Sequence, residues 1–553
     1  MKLSLRLIQG YFWCFIVLLS SSSWAQVPVF DWAVSAEAPT SYQQQVQNRG
    51  VAVDAAGNTY VTGIFRNTLT LGTTTLTSVG DYDVYVASLD NAGKYRWAVR
   101  AGGLDWDISN GLALDAQGNV HITGYYESSE AQFGLATVTN AGYGASVFVA
   151  KLSSAGTWLQ ASSAGGSGDT YTVGVALAVD KAGEVYVTGG FRGAITFGTT
   201  PLVCYGAYNG FVAKLNTNGT WQWAVAGGSS AYDFGNAVAL DLQGNAYVTG
   251  SFQGRTATFG ATTLTNVGAN GSGDLFVAKL DGNGNWLWAV RGGSTSSDGA
   301  NGIAIDPMGN AYITGSVAGF AASFGAITLS KSTPSADLFV AKLTANGTWQ
   351  WATLGGGDGP DRGQALAFDA AGQLMLVGSF QSSAASFATL PSLTSAGGSD
   401  VVVAQLGDDG RWNWVLRGGG PGDDYGQGVA LAPNGETRVV GTFEGATTSF
   451  GPTTLSGGTL ENGFFAHRGF VTNVTNLALR SQAFTLWPNP SRGTVWATGL
   501  APDELVQVYD AVGRLVASNV RGASQASGLA LPPLRPGLYF VRAGNQTRRL
   551  ELE

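Results

Sequence analysis

Six glycine-rich segments, "AGGLDWDISNG", "AGGSGDTYTVG", "AGGSSAYDFGN", "RGGSTSSDGANG", "LGGGDGPDRGQ" and "RGGGPGDDYGQ", each hold at least one aspartate. Their carboxylates at Asp107, Asp169, Asp233, Asp298, Asp361 and Asp424, with Trp106, Tyr171, Tyr232 and Tyr425 beside them, form the candidate ligand-binding set. Carboxylates can hold a cation or accept from hydroxyl groups, and aromatic rings offer flat apolar surfaces. Calcium needs about six to eight oxygen ligands. None of the six segments has the spaced acids of an EF-hand loop, so calcium stands as a candidate occupant only and no cofactor is required. A carboxylate pair acting as acid and base is the enzymatic alternative, and the densest spots are Asp105 with Asp107 and Asp423 with Asp424.

Other chemistries are poorly supplied. Only two histidines exist, His121 and His467, each standing in a strand-like run where related segments have Tyr or Lys, which points to structural roles. There is no P-loop and no metalloprotease helix motif, and in a chain with 81 glycines a match to G-x-G-x-x-G arises by chance.

These segments recur because the chain does. A marker of apolar triplet, Asp, tight turn and "YVTG" strand runs from "VAVDAAGNTYVTG" through "VALDLQGNAYVTG" to "VALAPNGETRVVG". Its Asp column is Asp54, Asp115, Asp180, Asp241, Asp306 and Asp369, then Ala432, at steps of 61 to 65 residues. Each unit has four alternating runs, for example "GVAVD", "NTYVTGIF", "DVYVASL" and "YRWAV", bounded by turn residues, and these read as strands. A four-stranded antiparallel sheet repeated radially predicts a seven-bladed β-propeller.

A second column, Trp32, Trp97, Gln160, Trp223, Trp288, Trp351 and Trp414, begins before the first Asp and has no member after the last. The seventh unit therefore lacks its outer strand, while the N-terminal "FDWAVSA" is a spare one. Closure of the ring by this N-terminal strand is expected, which would also hide the sheet edges. A Gly stands four residues before each internal Trp, as Gly93 before Trp97, and packing between blades is the expected reason. Strand parity then puts the tight turns at one end of the propeller. The six Asp-bearing connections gather at the other, where loops on a rigid scaffold commonly bind.

The repeat, on "GVAVDAAGNTYVTG" with "DLFVAKL", resembles the SBBP-type β-propeller repeat of bacterial secreted proteins, over residues 27 to 472. The likeness weakens at Ala432 and Gln160 and implies a fold without an activity. The turns "LNTNGTW" and "LSSAGTW" approach the Asp-box of sialidase-type propellers but place Gly one residue too close to Trp, so they read as hairpin turns.

Residues 1–25 carry Lys2 and Arg6, an apolar run from Tyr11 to Leu19, and a small-residue cleavage pattern at Ser23 and Ala25, the marks of a signal peptide. Cys14 lies in that run without the small residues a lipid-attachment site needs, which leaves Cys204 alone in the mature chain and no intramolecular disulfide. No later segment is long and apolar enough to cross a membrane. Net charge is −8, with basic excess only in the leader and the last seventy residues, which argues against nucleic acid as a partner.

Beyond the propeller, 26–472, and a linker, 473–483, the vocabulary changes to "LWPNPSRG", "VQVYDAVGRLV", "LPPLRPGLYFVR" and "TRRLELE", alternating strands that predict a small β-sandwich over 484–553. This series resembles the type A C-terminal sorting domain of the type IX secretion system of Bacteroidetes. It departs from that pattern at Trp487, Arg548 and Arg549. The resemblance implies recognition by the secretion machinery, passage through the periplasm, and release or attachment at the outer-membrane surface. The combined expectation is an exported, monomeric binding or adhesion module facing a glycan or a surface protein. The alternative is an extracellular propeller hydrolase or lyase acting on polysaccharide.

Overall fold

The computed structural model describes residues 29–36, 45–268, 271–369, 372–458 and 460–469. In the C-terminal part it describes 485–487, 495–498, 505–510, 515–520, 529–530, 534–543 and 546–552. The expected signal peptide, with Cys14, and the linker over 473–483 lie outside the described residues. The chain divides into two compact units, Met1–Val471 and Thr472–Glu553.

The first unit is a seven-bladed β-propeller, and no helix occurs among the described residues. Blade 1 is built from Val46–Val53, Thr59–Phe65, Asp83–Leu89 and Tyr95–Ala101, each antiparallel to the next. The pattern repeats through blade 7, whose strands are Asp424–Leu431, Thr437–Phe443 and Asn462–Arg468, with Trp32–Ala36 hydrogen-bonded along the last of them. There Trp32 lies opposite His467 and Ala36 opposite Gly463. In every blade the second and third strands are almost wholly buried, because neighbouring sheets cover both their faces, as in Thr59–Phe65 and Asp83–Leu89. The outer strands alternate buried and open positions, as in Tyr95–Ala101. The apolar core therefore lies between blades, as where Tyr247 and Val277 pack with Ile313 and Phe339.

The glycine of "YVTG" has a steric cause. The innermost strand of each blade carries a β-bulge, between Asn48 and Gly50 in blade 1 and between Gly235 and Ala237 in blade 4. The bulge drives a carbonyl onto the facing strand. A Cβ at Gly63 would lie 1.8 Å from the Gln47 oxygen, and one at Gly250 the same distance from the Phe234 oxygen. Only a residue without Cβ fits there. The threonine beside it binds within the sheet: Thr62 Oγ1 donates to the Tyr85 carbonyl at 2.9 Å, so its buried hydroxyl is satisfied.

The outer-strand tryptophans lie against the next blade's tight turn. The Trp97 indole donates to the Ser154 carbonyl at 3.1 Å, Trp223 to Gly282 at 3.2 Å, Trp288 to Ala345 at 3.2 Å and Trp351 to Asp408 at 2.8 Å. Each ring covers that turn's glycine: Trp97 meets Gly156, Trp223 meets Gly284, and Trp32 meets Gly93. Gln160 takes the same place against Gly219. Trp414 has no such turn ahead of it and is covered by the Arg468 guanidinium, 4.3 Å from its ring.

The four-run reading of each unit missed an element. Six blades add a two-stranded hairpin between their second and third strands, such as Glu130–Phe133 with Ala136–Thr139. The hairpin reaches the preceding blade, where Gly102 exchanges backbone hydrogen bonds with Gln132 at 3.0 Å in both directions. Its phenylalanine packs edge-on against the first tryptophan of its own blade's outer strand, as Phe133 does on Trp158 and Phe259 on Trp286. In blade 7 that partner of Phe450 is Phe30, at 5.2 Å. Runs of four residues with mixed Thr and Ala are too short and too polar to stand out as strands.

In the second unit, a three-stranded sheet of Thr485–Trp487, Trp496–Thr498 and Leu529–Ala530 accompanies a four-stranded one of Leu505–Asp510, Leu515–Val520, Gly537–Ala543 and Gln546–Leu552. Val495, Val506, Val508, Val541 and Leu550 form the core of this small β-sandwich.

The closing role of the N-terminal strand is open to a direct test. Removing a packed tryptophan costs about 3 to 5 kcal/mol, against a usual total of about 5 to 15 kcal/mol. Trp32→Ala is expected to lower the melting temperature about as far as Trp223→Ala or Trp288→Ala, although terminal substitutions are normally mild. An unmoved melting temperature for Trp32→Ala alone would remove that strand from the ring's stability.

Candidate functional site

The tight turns of the Asp column occupy one end and hold themselves together. Asp54 Oδ1 accepts from the amides of Ala56 at 2.9 Å and Asn58 at 2.8 Å, and Asp241 repeats this with Gln243 and Asn245. In blade 2, burial pushes the Asp115 carboxyl up, but hydrogen bonds from Asn119, Lys151 and His121 outweigh it and hold the group below the usual carboxylate range. His121 is buried on this carboxylate at 3.2 Å, and His467 is buried with its ring stacked 4.9 Å from Trp32, so neither histidine is exposed.

The long connections gather at the opposite end, and the predicted aspartates there divide into two kinds. Asp107, Asp233, Asp361 and Asp424 open the innermost strands of blades 2, 4, 6 and 7, Asp298 immediately precedes that of blade 5, and all five are 5% exposed or less. Each carboxylate accepts from a backbone amide of its own connection. Asp107 Oδ2 accepts from the Gly103 amide at 2.5 Å and the Ser128 hydroxyl at 2.9 Å, and Asp361 Oδ2 from the Gly357 amide and Ser382 hydroxyl at 2.9 and 2.7 Å. Asp233 and Asp298 take the amide and hydroxyl of Ser229 and Ser294, and Asp424 takes the Gly420 amide at 2.6 Å. These five carboxylates are buried and order the loops that carry other residues. Asp169 is the exception. Blade 3 has the buried Thr172 where the others have aspartate, and the Asp169 side chain, 74% exposed, pairs with Arg192.

Facing four of these buried carboxylates stands another, at the head of the preceding blade's third strand. At Gly102 an added Cβ would lie 2.7 Å from Asp83 Oδ1 and 2.9 Å from Asp107 Oδ2; Asp274 with Asp298 flank Gly293, and Asp337 with Asp361 flank Gly356 in the same way. Asp400 opens the third strand of blade 6, before Asp424. Arg100 pairs with Asp83 at 2.5 Å, Arg291 with Asp274 at 3.1 Å and Arg417 with Asp400 at 3.5 Å. Burial, with a contribution from the facing carboxylate, pushes Asp107 and Asp424 up to about 7 and Asp298 and Asp361 up to about 6, against the pull of their amide and hydroxyl donors. Among the described residues no group of three or more His, Cys, Asp or Glu gathers as metal ligands would.

The aromatic candidates are better presented. Trp106 is 46% exposed, edge-on to Tyr82 at 5.1 Å, and its indole donates to Asp81 at 3.2 Å; Arg66 pairs with the same Asp81 and lies over Tyr82. Tyr232 is 51% exposed and stacks on Tyr208, which stacks in turn on Phe234. Tyr171 lies under the Arg192 guanidinium at 5.4 Å. Tyr425 is half-buried, and burial pushes its hydroxyl up.

On the propeller axis the bulges open a cavity of about 660 Å3. The extra residue of each bulge is Arg49, Asn110, Val175, Asn236, Asn301, Gln364 or Gln427, and all seven line it. Three asparagines also tie neighbouring blades: Asn110 Nδ2 donates to the Gly174 carbonyl at 2.8 Å, Asn236 to Ala300 at 2.9 Å and Asn301 to Gly363 at 2.9 Å. The ring was missed in the sequence, although a signal for it exists: its members stand five residues before each member of the Asp column.

Against known proteins, residues 226–251 match the SBBP beta-propeller repeat, and residues 485–551 match the secretion system C-terminal sorting domain. The sorting domain indicates export to the cell surface or secretion and interaction with the secretion machinery. An uncharacterized WD repeat-containing protein of Acanthamoeba polyphaga mimivirus is 24% identical over 231 residues; the match covers 36% of this chain and only 16% of that protein's length. Among solved structures, a Dyadobacter fermentans protein of unknown function has 9% identity and a TM-score of 0.41, covering 80% of this chain and 99% of its own. A polysaccharide lyase described as an ulvan lyase has 13% identity and a TM-score of 0.37, covering 75% and 93%.

The buried carboxyls set a pH dependence. In the folded chain they keep their protons up to about pH 6 to 7, whereas unfolded aspartates release theirs near about 4. Between those values the folded state binds more protons, so this contribution to stability is complete below about pH 4 and is lost as pH rises through about 7. The melting temperature should fall from pH 5 to pH 8, and a combined Asp107→Asn and Asp424→Asn chain should show a shallower fall in the same thermal scans.

Proposed function

We propose that the propeller is an exported binding module whose long-loop face takes a hydroxyl-rich glycan on its exposed aromatic rings. One observation carries this reading: Trp106 and Tyr232 each expose about half their surface while a second ring holds each in place, Tyr82 edge-on to one and Tyr208 stacked on the other. A ring immobilised before the ligand arrives loses little rotamer freedom on binding. Such rings bury large areas against a flat apolar partner, and the exposed Asp105 and Asp169 beside them can accept from hydroxyl groups. Adhesion to a surface polysaccharide is the corresponding role for a chain that its sorting domain sends out of the cell.

The hydrolase or lyase reading has less support. An acid and a base must both reach one substrate, and the carboxyls with raised values are committed to loop amides and hydroxyls at the blade junctions.

A glycan array read together with a reducing-sugar assay separates these readings. Stable binding without turnover is expected, and Trp106→Ala with Tyr232→Ala should weaken it about tenfold, at roughly 0.5 to 1.5 kcal/mol for each ring. Turnover without stable binding, or undiminished binding by the folded double variant, would sink the proposal. Removal of residues 484–553 should leave the propeller in the periplasm on cell fractionation; equal surface display of the truncated chain would give that unit a different job.

A further inference from the structure

We propose that the axial cavity is a second binding site, for a small hydroxylated carboxylate such as a free uronic acid, with Arg49 taking the carboxylate. The site is distinct from the aromatic platforms on the loops and does not depend on them.

Among the described residues, Arg49 is the one charged residue in the cavity wall; the rest is the amide ring, Tyr125 and backbone-rich aliphatic positions. Its guanidinium is held by neutral groups. Nε and Nη2 donate to Gln47 Oε1 at 3.1 and 2.7 Å, and Nη1 donates to Asn110 Oδ1 at 2.5 Å. These bonds use three of the five N–H donors of an arginine. Among the described residues no carboxylate lies within ion-pair distance of Arg49. Glu461 is engaged by the Gln47 amide, and acts on the guanidinium only at longer range. Burial pulls the Arg49 value down from its ordinary one, the expected sign for a cation without an adjacent counter-charge.

A fixed, partly desolvated guanidinium with donors to spare is complementary to one oxyanion, and its planar fork suits a carboxylate. The volume of about 660 Å3 falls within the roughly 300 to 1,000 Å3 of small-molecule sites. Around the axis, Asn236, Asn301, Gln364 and Gln427 supply side chains that both donate and accept, which suits hydroxyl groups. Among the described residues no carboxylate lines the cavity to repel an acid. One cation with several amides selects a singly charged polyol acid over a neutral sugar, which leaves the guanidinium unanswered, and over a bare anion, which leaves the amides unanswered.

The test titrates the full chain calorimetrically with glucuronate, galacturonate, glucose, acetate and inorganic sulfate. A uronate should bind one to one and more tightly than the other three probes. Arg49→Gln should weaken it at least about tenfold, and Arg49→Lys, which keeps the charge without the fork, should fall between. Val175→Phe fills the ring from its one aliphatic position and keeps Arg49 in the chain; it too should weaken binding, and it decides the matter if thermal scans show Arg49→Gln unfolded. Trp106→Ala with Tyr232→Ala should leave uronate binding unchanged, so failure here and failure of the glycan reading are separate results. Glucose, acetate or sulfate binding as tightly as a uronate overturns the proposal. So does uronate binding that survives both Arg49→Gln and Val175→Phe, or no uronate binding at the highest soluble concentration.

Discussion

The contact on which the rest of this propeller depends is a backbone one: a bulged carbonyl of each innermost strand pressed against a glycine of the second. At Gly63, Gly124, Gly189, Gly250, Gly315, Gly378 and Gly441 an added Cβ would come within 1.8 to 2.0 Å of that oxygen. The bulge bends the strand, increases its local twist and turns one extra side chain out of the pairing pattern. Seven such side chains then face the axis. The same accommodation therefore makes the blades narrow at the centre, opens the cavity there, and determines that Arg49 and the amides line it. A packed β-strand without the bulge would have directed those positions into a neighbouring sheet.

Around that centre the blades are joined by three unlike devices at three radii. Near the axis, asparagine amides reach the next blade's carbonyls; at the rim, indole rings lie on the next blade's glycine turns; and at the long-loop end, hairpins pair with the preceding blade. Among the described residues of the propeller the buried apolar side chains fall into separate clusters between blades, so stability is spread over the junctions, with nearest neighbours supplying most of each blade's burial. The junction carboxylates serve the same end at a cost. Each satisfies amides that would otherwise be stranded in a long connection, yet a buried charge facing another buried carboxylate is unfavourable. The protonated form resolves that conflict, which is why their values rise. The loops gain order from this, and ordered loops can present Trp106 and Tyr232 as fixed surfaces.

Much of this was legible in the residues themselves. The Asp column with its following Gly announces a tight turn whose bonds are local, between residues at most four apart, and the structure has those bonds at Asp54 and Asp241. The tryptophan column announced contact between blades, and its glycine four residues earlier proved to be the surface that another blade's indole covers. The hairpins between second and third strands were not legible, since four-residue runs of Thr and Ala have no distinctive periodicity. Nor was the fate of the loop aspartates, because an acidic residue in a glycine-rich segment reads the same whether it faces water or its own backbone.

The sequence alone determined the number of blades, the strand order within each, the end at which the long connections gather and the nature of the last seventy residues. Those follow from spacing, alternation and turn chemistry, which act between near neighbours in the chain. Only the tertiary structure decided which side chains are presented and which are spent. Asp107 and Asp169 come from similar segments, yet one is buried on Gly103 and Ser128 and the other is open beside Arg192. Arg49 and Asn110 stand 61 residues apart in sequence and meet at 2.5 Å across a blade junction. Direction and partnership of this kind depend on the bulge and on the neighbouring blade, neither of which is present in the local pattern that specifies a strand.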